Sequence, residues 1–564
     1  MEIQKFETLR DLFSYCTDTF KDNKAFAYIN GDSYTYKKFG EKTTEVAQML
    51  SSSGIGKGEK VGILSQNMPN WPVAYFSATA FGRVVVPMLP DFSETEIRNV
   101  IEHSEAKALF VSKKLLYKIS KELMETLDIV IDIDSFEVLH ARTENCAVDA
   151  EYTAATEDLA TIIYTSGTTG NSKGVMLSHR NLCTHLYAAF KLRPGFEWDI
   201  WLSVLPLSHM LECSLSMLLP MMSGASVYFL EKAPTPSILL QALKDVRPTT
   251  MLTVPMIIEK IYRSSIVPKF EAGKLTNAIY KTTFGRKLLH RVAGKKLMET
   301  FGGRLRFFGI GGAKLDSEVE RFLLEAKFPY AIGYGLTEAC PLLAGAIPSM
   351  VKWQSTGPAV HGVTLRIDNP NPETGEGEIV AQGPNIMMGY YKNPDATEQA
   401  FTKDSWFRTK DLGVIDKKGR LYIKGRLTNM ILGPSGENIY PEEIESVING
   451  HSMVAESLVT ESMGKLIALV HFNPDKLKTL KEAKDEALNV YYQTKDQLVK
   501  SYEETKDEAV KAFNEKMEQL KKEVSDYVNA RVNKFSKISV VVDHPEQFEK
   551  TATQKIKRYL YLKK

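Results

Sequence analysis

A cluster of hydroxyl residues, glycines and one lysine follows a short apolar, β-branched run at residues 161–164. Glycines let backbone amides approach and face an anion, hydroxyls donate hydrogen bonds to phosphate oxygens, and a lysine adds a positive point charge. The composition therefore predicts a phosphate-binding loop. Its candidate residues are Thr165, Ser166, Gly167, Thr168, Thr169, Gly170 and Lys173.

The surroundings of this loop narrow its interpretation. Its spacing differs from the GxxxxGK[ST] pattern, so the sequence does not indicate a P-loop NTPase. Thr161 to Tyr164 is typical of a buried strand, and Ser178 suits the N-cap of a helix that begins near Arg180. A flexible Ser/Gly/Thr linker is the competing interpretation, but a linker would not normally lie between a buried strand and a capped helix.

A second cluster lies in IGYGLTEACP (332–341), where an aromatic, a hydroxyl and an acidic residue share a glycine-rich turn. A carboxylate is a natural hard-oxygen ligand for Mg²⁺, an ion that substrate phosphates also bind. Glu338 is therefore a candidate metal ligand. The competing interpretation is a polar loop acid that binds no metal.

Further segments complete the set of candidates. They are PLSHMLEC (206–213), GIGGAKL (309–315), WFRTKDLGVID (406–416), GRLTNMILGPSGENIYPEEIE (425–445) and FEKTATQKIKRYLY (548–561). Taken alone, the first contains a lone histidine, which is usually structural. The second is also typical of a plain strand–turn–helix junction, and the last of a solvated basic tail.

Together and in this order, the segments resemble the signatures of the adenylate-forming superfamily, which includes acyl-CoA synthetases, peptide-synthetase adenylation domains and luciferases. YTSGTTGNSKGVMLSH carries the resemblance most clearly, and the similarity spans nearly the whole chain. It implies ATP and Mg²⁺ as cofactors, with Tyr334 stacked on adenine, Thr337 on the α-phosphate and Glu338 on Mg²⁺. Other residues of the nucleotide pocket would be Gly311, Gly312, Ala313 and Gly335.

The same resemblance implies four roles elsewhere in the chain. His209 would lie beside the carboxylate being activated, as a gate to the acyl pocket. Asp411 would accept both ribose hydroxyls with its two oxygens, and Arg426 would contact the ribose or a phosphate. Lys555 would bridge the carboxylate and the α-phosphate during adenylation only.

Three positions depart from the family's pattern. Lys410 stands where the family usually has Gly, and Thr428 stands where the pivot between domains is usually Lys or Asp. Gln554 takes the place of the Gly in the usual Pro-Thr-Gly before the catalytic lysine. Other basic residues close to the candidate lysine are Lys550, Lys557 and Arg558.

Composition sets the broad class of the protein. The 564 residues include 71 basic and 69 acidic side chains, a net charge of +2 that provides no global field for nucleic acid. The five cysteines contain no CxxC pair, which argues against a zinc site or a disulfide framework and favours a reducing, cytoplasmic compartment. The N-terminus does not resemble a signal peptide.

The order of elements predicts an α/β fold. Strands and helices alternate up to about residue 355, which favours a large N-terminal domain of mostly parallel sheets packed with helices. Short strands between turns then indicate a β-rich subdomain, in which DKKG (416–419) predicts a hairpin. A small mobile α+β domain follows. The predicted boundaries are 1–426 and 430–564, with a hinge at 427–429.

A charged stretch without Gly or Pro lies at 475–542. Its apolar residues recur at spacings near three, four or seven, which predicts an amphipathic helix or helical hairpin. We interpret about 475–535 as a solvated helical insertion in the C-terminal domain. A helix that binds a partner or a membrane surface is the alternative, although mixed charge argues against a strong patch for anionic lipid.

The predicted function is ATP-dependent activation of a carboxylic acid to acyl-AMP, followed by thioester formation with coenzyme A. The chain length and the long segment between Ile266 and Leu305 resemble long-chain fatty-acid–CoA ligases, so a medium- or long-chain fatty acid is the predicted substrate. The alternatives are a fatty-acyl-AMP ligase that loads an acyl carrier protein, an aryl-CoA ligase, and a non-catalytic nucleotide-binding relative. A lipid substrate would bring the protein to the inner face of a membrane, although no segment demands this contact, and the sequence leaves a homodimer open.

Overall fold

The computed structural model describes residues 4–142, 154–165, 173–232, 235–432, 438–462, 464–474, 476–477, 500–550 and 556–561, with the backbone alone for 500–510 and 512. The chain forms two compact units. The first comprises Met1–Thr409 and Gly413–Ile423, and the second comprises Lys410–Leu412 and Lys424–Lys564. The hinge at 427–429 stays a prediction.

The first unit contains two eight-stranded sheets that are parallel in their centres and antiparallel at their edges. The strands of one sheet, in spatial order, are Gly389–Tyr390, Lys173–Ser178, Leu159–Thr165, Val84–Met88, Lys60–Leu64, Ala106–Val111, Ile129–Asp132 and Val138–Ala141. Those of the other are Leu342–Gly345, Tyr330–Gly335, Phe307–Ile310, Thr250–Thr253, Ile200–Ser203, Ser226–Phe229, Lys24–Tyr28 and Ser33–Thr35. The predicted α/β class with mostly parallel sheets is confirmed.

Helices cover these sheets. In chain order they are Leu9–Thr19, Tyr36–Ser52, Asn70–Thr79, Glu94–Ser104, Lys121–Thr126, His179–Leu192, Met210–Glu212, Leu219–Met221, Pro236–Val246, Pro255–Ile261, Val267–Glu271, Lys274–Tyr280, Thr283–Thr300, Ser317–Ala326 and Pro394–Gln399. Short π-helical segments at Cys213–Leu218 and Tyr262–Ile266 join some of them. Local caps fix several starts; at Ser178, for example, the side chain accepts from Asn181 N–H in a capping box, as predicted.

One buried helix links the two sheets into a common core. Every residue of Asn70–Thr79 after the first is buried. Its side chains belong to a cluster that also contains Ile63 and Val85 of one sheet and Val227 and Phe229 of the other. Each large apolar side chain buried in this way stabilises the fold by about 1.5–3 kcal/mol. The carboxyl ends of the central strands are therefore held at fixed positions.

A five-stranded sheet follows the parallel sheets along the chain. In spatial order its strands are Gly357–Pro358, Arg420–Arg426, Phe407–Ile415, Gly377–Gln382 and Thr364–Asp368. The hairpin predicted at DKKG is present, with Gly419 N–H donating to Asp416 O at 2.9 Å and Gly419 at φ +74°. The left-handed φ is one that glycine adopts without strain. The β-rich subdomain is confirmed.

The second unit is a small α+β structure. Its strands are Val454–Ser462, Lys465–Phe472 and Val540–Asp543 in one sheet and Ile431–Leu432 and Asn438–Ile439 in another. Its helices are Pro441–Asn449 and Lys500–Asn529. Met517, Leu520, Val524 and Val528 on the second helix join the core of this unit, so this part of the predicted helical region is not solvated. The bounds predicted for the insertion stay a prediction, and residues 478–499 lie outside the described residues.

Among the residues that the structure describes, no helix combines the length and the apolar content needed to cross a membrane.

Candidate active site

Two glycine-rich segments lie side by side at the carboxyl ends of neighbouring strands. Phe307–Ile310 and Tyr330–Gly335 run parallel, and Gly311 N–H donates to Thr253 O at 3.1 Å on the next strand. A Cβ added at Gly311 would lie 3.9 Å from Gly333 O. The carboxyl ends of parallel strands are where α/β proteins bind ligands. The structure thus brings together the segments predicted to form the adenine pocket.

The residues predicted to contact adenine differ in exposure. Gly312, at φ +85°, Ala313 and Gly335 are exposed. Tyr334 is buried in an apolar cluster with Ala339, so little of its ring is available. Its stacking on adenine stays a prediction.

The turn after Tyr334 requires glycine. A Cβ added at Gly335 would lie 1.6 Å from Pro341 O, the same oxygen that accepts from Leu336 N–H at 2.8 Å. Two heavy atoms that are not bonded to each other cannot come this close in a packed protein. This tight turn positions the short 3₁₀ helix Thr337–Ala339, which contains the predicted phosphate and metal residues.

A buried asparagine holds the same turn from the other side. Asn385 is 2% exposed, and its side-chain amide donates to Ala339 O at 2.8 Å and to Leu342 O at 3.2 Å. Met387 N–H donates to Glu338 O at 2.8 Å. Satisfied buried hydrogen bonds of this kind fix a backbone in one conformation. The position of the Glu338 side chain therefore depends on the segment 385–387.

The structure brings Lys173 and Glu338 to one tyrosine. Tyr390 OH donates to Glu338 Oε1 at 2.9 Å, and Lys173 Nζ lies 5.0 Å from the centroid of the Tyr390 ring. Burial, followed by the charge of Glu338, raises the pKa of Tyr390, so its hydroxyl is a permanent donor. Sequence reasoning missed this tyrosine, because its only cue was an aromatic pair in GYY (389–391).

Strand pairing explains the approach of Lys173. The strand Lys173–Ser178 pairs with Leu159–Thr165 on one side and with Gly389–Tyr390 on the other. Thr165 and Lys173 are partners in register, so they mark the two ends of the predicted phosphate loop. The remaining residues predicted for that loop lie outside the described residues: Ser166, Gly167, Thr168, Thr169 and Gly170.

His209 caps a helical turn beside the glycine segment. Leu211 N–H donates to His209 Nδ1 at 3.3 Å. A Cβ added at Gly311 would lie 3.6 Å from the Leu211 side chain. The turn that contains His209 therefore packs against the glycine-rich segment predicted to contact adenine. The structure thus places His209 near the nucleotide segments, while its role as a gate stays a prediction.

Glu212 is a buried acid that sequence reasoning overlooked. Its two oxygens accept from Ser203 Oγ at 2.6 Å, Val204 N–H at 3.0 Å and Ser216 Oγ at 3.0 Å. Burial raises the pKa of Glu212 to about 7 even though these hydrogen bonds lower it. The carboxyl group therefore ties the end of the strand Ile200–Ser203 to the turn that carries His209.

Two predicted residues pair within the second unit. Arg426 Nε lies 3.1 Å from Asp411 Oδ1, and Asp411 is 6% exposed. Lys410 adopts φ +60°, and its carbonyl accepts from Leu427 N–H at 2.9 Å. A left-handed φ costs a non-glycine residue roughly 1–2 kcal/mol. This strain explains physically why Gly suits the position at which the chain has lysine.

The predicted catalytic residue Lys555 lies outside the described residues. Each of the three basic residues near it in sequence forms an ion pair with a glutamate. Lys550 pairs with Glu456, Lys557 Nζ lies 3.7 Å from Glu549, and Arg558 pairs with Glu445.

No cluster of three or more His, Cys, Asp or Glu side chains within the described ranges could hold a metal ion. Glu338 nevertheless fits Mg²⁺, since this ion is usually held by one or two carboxylates together with waters and substrate phosphates. A single carboxylate that shares Tyr390 with Lys173, the residue at one end of the predicted phosphate loop, is thus compatible with a metal that arrives with the nucleotide.

Comparisons with known proteins identify the family of the chain. The family model for AMP-binding enzymes matches residues 14–391. The chain therefore belongs to the AMP-binding enzyme family.

Its relatives include long-chain-fatty-acid–CoA ligases. FadD15 of Mycobacterium bovis, a long-chain-fatty-acid–CoA ligase, is 30% identical over 467 residues, which cover 77% of this chain and 76% of that protein. The long-chain-fatty-acid–CoA ligase heimdall of Drosophila melanogaster is 29% identical over 498 residues, 78% of this chain and 72% of that protein.

A solved structure shares the fold. O-succinylbenzoate coenzyme A synthetase from Bacillus subtilis, in complex with ATP and a magnesium ion, superposes with a TM-score of 0.72 at 22% identity. The match covers 97% of this chain and 98% of the other.

Proposed function

We propose that this enzyme activates a medium- or long-chain fatty acid with ATP and transfers the acyl group to coenzyme A. The approach of Lys173 and Glu338 to one tyrosine, beside the two glycine-rich strand ends, carries the proposal. This arrangement brings Lys173, at one end of the predicted phosphate loop, close to Glu338, a carboxylate suited to Mg²⁺. The substrate class rests on the relatives named as long-chain-fatty-acid–CoA ligases.

The reaction has two steps. A carboxylate acylates poorly because it lacks a good leaving group. One of its oxygens attacks the α-phosphorus of ATP, the bond to pyrophosphate breaks, and acyl-AMP forms. The sulfur of coenzyme A then attacks the acyl carbon, AMP leaves, and the thiol proton is released. The protein contributes positioning and charge neutralisation.

The described residues of the first unit would serve the first step. Lys173 would neutralise charge on the β- and γ-phosphates, and Thr337 would donate to the α-phosphate. Glu338 would hold Mg²⁺ against the phosphate oxygens, where the ion would neutralise developing charge. Tyr390 would keep the Glu338 carboxylate in one orientation through its 2.9 Å hydrogen bond. His209 would lie at the entrance for the acid.

The second unit would supply the ribose contacts and the catalytic lysine. Arg426 fixes one oxygen of Asp411, which would orient the carboxylate toward the ribose hydroxyls. Lys555 would neutralise charge between the carboxylate and the α-phosphate. The ion pairs of Lys550 with Glu456 and of Arg558 with Glu445 support this choice, because both cations already have a partly buried partner.

A panel of acids tests the proposal. We would measure ATP- and Mg²⁺-dependent pyrophosphate release with acetate, octanoate, palmitate, oleate and benzoate, with and without coenzyme A. The proposal predicts a thioester from palmitate or oleate. Preference for a holo acyl carrier protein, or for benzoate, would instead indicate the carrier-loading or aryl ligase, and ATP binding without pyrophosphate release would indicate a non-catalytic relative.

A further inference from the structure

A cluster of five polar side chains joins the end of a helix to the strands at the predicted phosphate loop. We define the His103 cluster as His103, Glu105, Tyr164, Tyr391 and Lys392. His103 Nδ1 lies 2.7 Å from Tyr164 OH, and Lys392 Nζ donates to His103 O at 3.2 Å. Tyr391 OH donates to Glu105 Oε2 at 2.9 Å, and Lys392 Nζ lies 2.9 Å from Glu105 Oε1. The proposed reaction assigns no role to any of the five.

The contacts of the His103 cluster differ in burial, and burial decides which of them matters most. The Glu105 and Lys392 side chains are 56% and 43% exposed, and exposed ion pairs of this kind contribute little. Tyr164 is 7% exposed, so its hydroxyl needs a partner within the protein. His103 provides that partner from the last turn of the helix Glu94–Ser104. The contact between His103 and Tyr164 is therefore the one that fixes the Tyr164 ring.

The Tyr164 ring lies at both ends of the predicted phosphate loop. Tyr164 directly precedes Thr165, at the first end. It is also the partner in register of Gly174, which directly follows Lys173 at the second end. A Cβ added at Gly174 would lie 3.3 Å from Tyr164 Cζ, so the ring packs against the backbone there. Because a packed interior leaves little free space, a shift of the ring moves Gly174 and, with it, Lys173.

The hydrogen bond between His103 and Tyr164 has a defined direction. Burial, followed by the nearby Tyr391, raises the pKa of Tyr164, so its hydroxyl keeps its proton and donates. His103 Nδ1 must then accept, which requires a neutral imidazole with its proton on Nε2. Burial, followed by the charge of Lys392, lowers the pKa of His103, although the charge of Glu105 raises it. The neutral imidazole therefore predominates at neutral pH.

We propose that His103 is a positioning residue for ATP, because its hydrogen bond from Tyr164 holds the two ends of the predicted phosphate loop at the spacing that binds the phosphates. The inference rests on the proposed function only in so far as the ligand is ATP. A neutral hydrogen bond changes an equilibrium constant about two- to tenfold. We therefore expect His103 to affect the affinity for ATP by this factor and to leave kcat at saturating ATP unchanged.

Calorimetric binding of ATP with Mg²⁺ to the full chain, without any acid, tests the inference. His103→Leu removes the acceptor and Tyr164→Phe removes the donor, so each should weaken ATP binding about two- to tenfold at pH 8. The double variant should bind ATP like the weaker of the two single variants, because both changes remove the same hydrogen bond. His103→Asn keeps an acceptor at the position of Nδ1 and should bind ATP like the unmodified protein.

The pH dependence separates this role from a general loss of stability. Protonation of His103 turns Nδ1 into a donor, so the unmodified protein should lose ATP affinity as the pH falls below about 6.5, the ordinary pKa of histidine. His103→Asn does not titrate and should lack this part of the loss, while protonation of ATP itself affects both proteins equally. A further cation faces the cluster, since Lys60 Nζ lies 5.6 Å from the centroid of the Tyr391 ring.

His361→Asn is the matched control. His361 is exposed and lies edge-on to Tyr187 with 5.6 Å between the ring centroids, close to the 5.7 Å between His103 and Tyr164. Its Nδ1 lies 3.3 Å from Lys191 Nζ rather than beside a tyrosine hydroxyl. This variant should keep the ATP affinity and the pH dependence of the unmodified protein. Unfolding temperatures would verify that every variant is folded.

Equal ATP affinities of His103→Leu, Tyr164→Phe and the unmodified protein would overturn the inference. The same pH dependence in His103→Asn and the unmodified protein would also overturn it. The acid panel decides the proposed reaction separately. Thioester formation by the unmodified protein together with unchanged ATP affinity in the variants would refute this inference alone, whereas weakened ATP binding in the variants without activation of any acid would refute the proposed reaction alone.

Discussion

The hydrogen bond from Tyr390 to Glu338 gives the sharpest test of the site. We consider Tyr390→Phe, which removes one oxygen and keeps the ring that Lys173 contacts. A hydrogen bond to a charged group contributes about 1.5–3 kcal/mol, which corresponds to roughly 10- to 150-fold. Partners that orient a metal ligand typically change metal affinity about 10- to 100-fold.

We therefore expect Tyr390→Phe to raise the Mg²⁺ concentration for half-maximal pyrophosphate release by about 10- to 100-fold. The assay is a Mg²⁺ titration at saturating palmitate and ATP. Tyr391→Phe is the matched control, because Tyr391 OH donates to Glu105 Oε2 at the same 2.9 Å distance but at an exposed position. If Tyr390→Phe and Tyr391→Phe showed the same Mg²⁺ dependence as the unmodified enzyme, the role of Tyr390 in orienting a metal-binding Glu338 would be refuted.

Three other perturbations follow from the same geometry. Gly335→Ala places a methyl group against the carbonyl oxygen 1.6 Å away, so it should destabilise the first unit by about 3 kcal/mol; an unchanged unfolding temperature would contradict the turn. Lys555→Ala should abolish pyrophosphate release but spare thioester formation from supplied acyl-AMP, and equal loss of both would exclude the assigned role. Burial raises the pKa of Glu212 from 4.5 to about 7, so folding favours its protonated form and stability falls as pH rises from about 4.5 to 7, by about 3 kcal/mol. Glu212→Gln should remove that part of the pH dependence, as the difference between the two unfolding curves would reveal.

Local sequence predicted the elements that depend on neighbouring residues. The cap at Ser178 and the hairpin at 416–419 follow from side chains within a few positions, and both are present. The mostly parallel sheets follow from the alternation of strands and helices. These features were predictable because the forces that set them act over short stretches of chain.

Contacts between distant segments could not be predicted in this way. Tyr390 contacts Glu338 from 52 residues away, and the pairing of Gly389–Tyr390 with the strand Lys173–Ser178 sets that contact. The apolar residues on both sides of Glu212 indicate a buried segment, but they do not show that its carboxyl group is buried as well, with Ser203 and Ser216 as hydrogen-bond partners. The positive φ of Lys410 likewise results from the strand around it. One signal of it was present in the sequence, because the adenylate-forming family usually has Gly at this position.

The predicted helical region shows a different limit. Its apolar spacing correctly indicated an amphipathic helix, but the spacing alone does not say what covers the apolar face. In the structure, Leu520 and Val524 lie in the core of the second unit with Ile444 and Val470. The helix Lys500–Asn529 is therefore partly a structural element of that unit.

The central claim is that the carboxylate oxygen of the acid becomes bonded to the α-phosphorus of ATP. The most direct measurement uses palmitate labelled with ¹⁸O in both carboxylate oxygens, together with ATP, Mg²⁺ and coenzyme A, and mass spectrometry of the nucleotide product. The account predicts AMP that carries one ¹⁸O atom, pyrophosphate without label, and palmitoyl-CoA that retains the other. Unlabelled AMP, or ADP with labelled phosphate, would contradict activation through an acyl-adenylate.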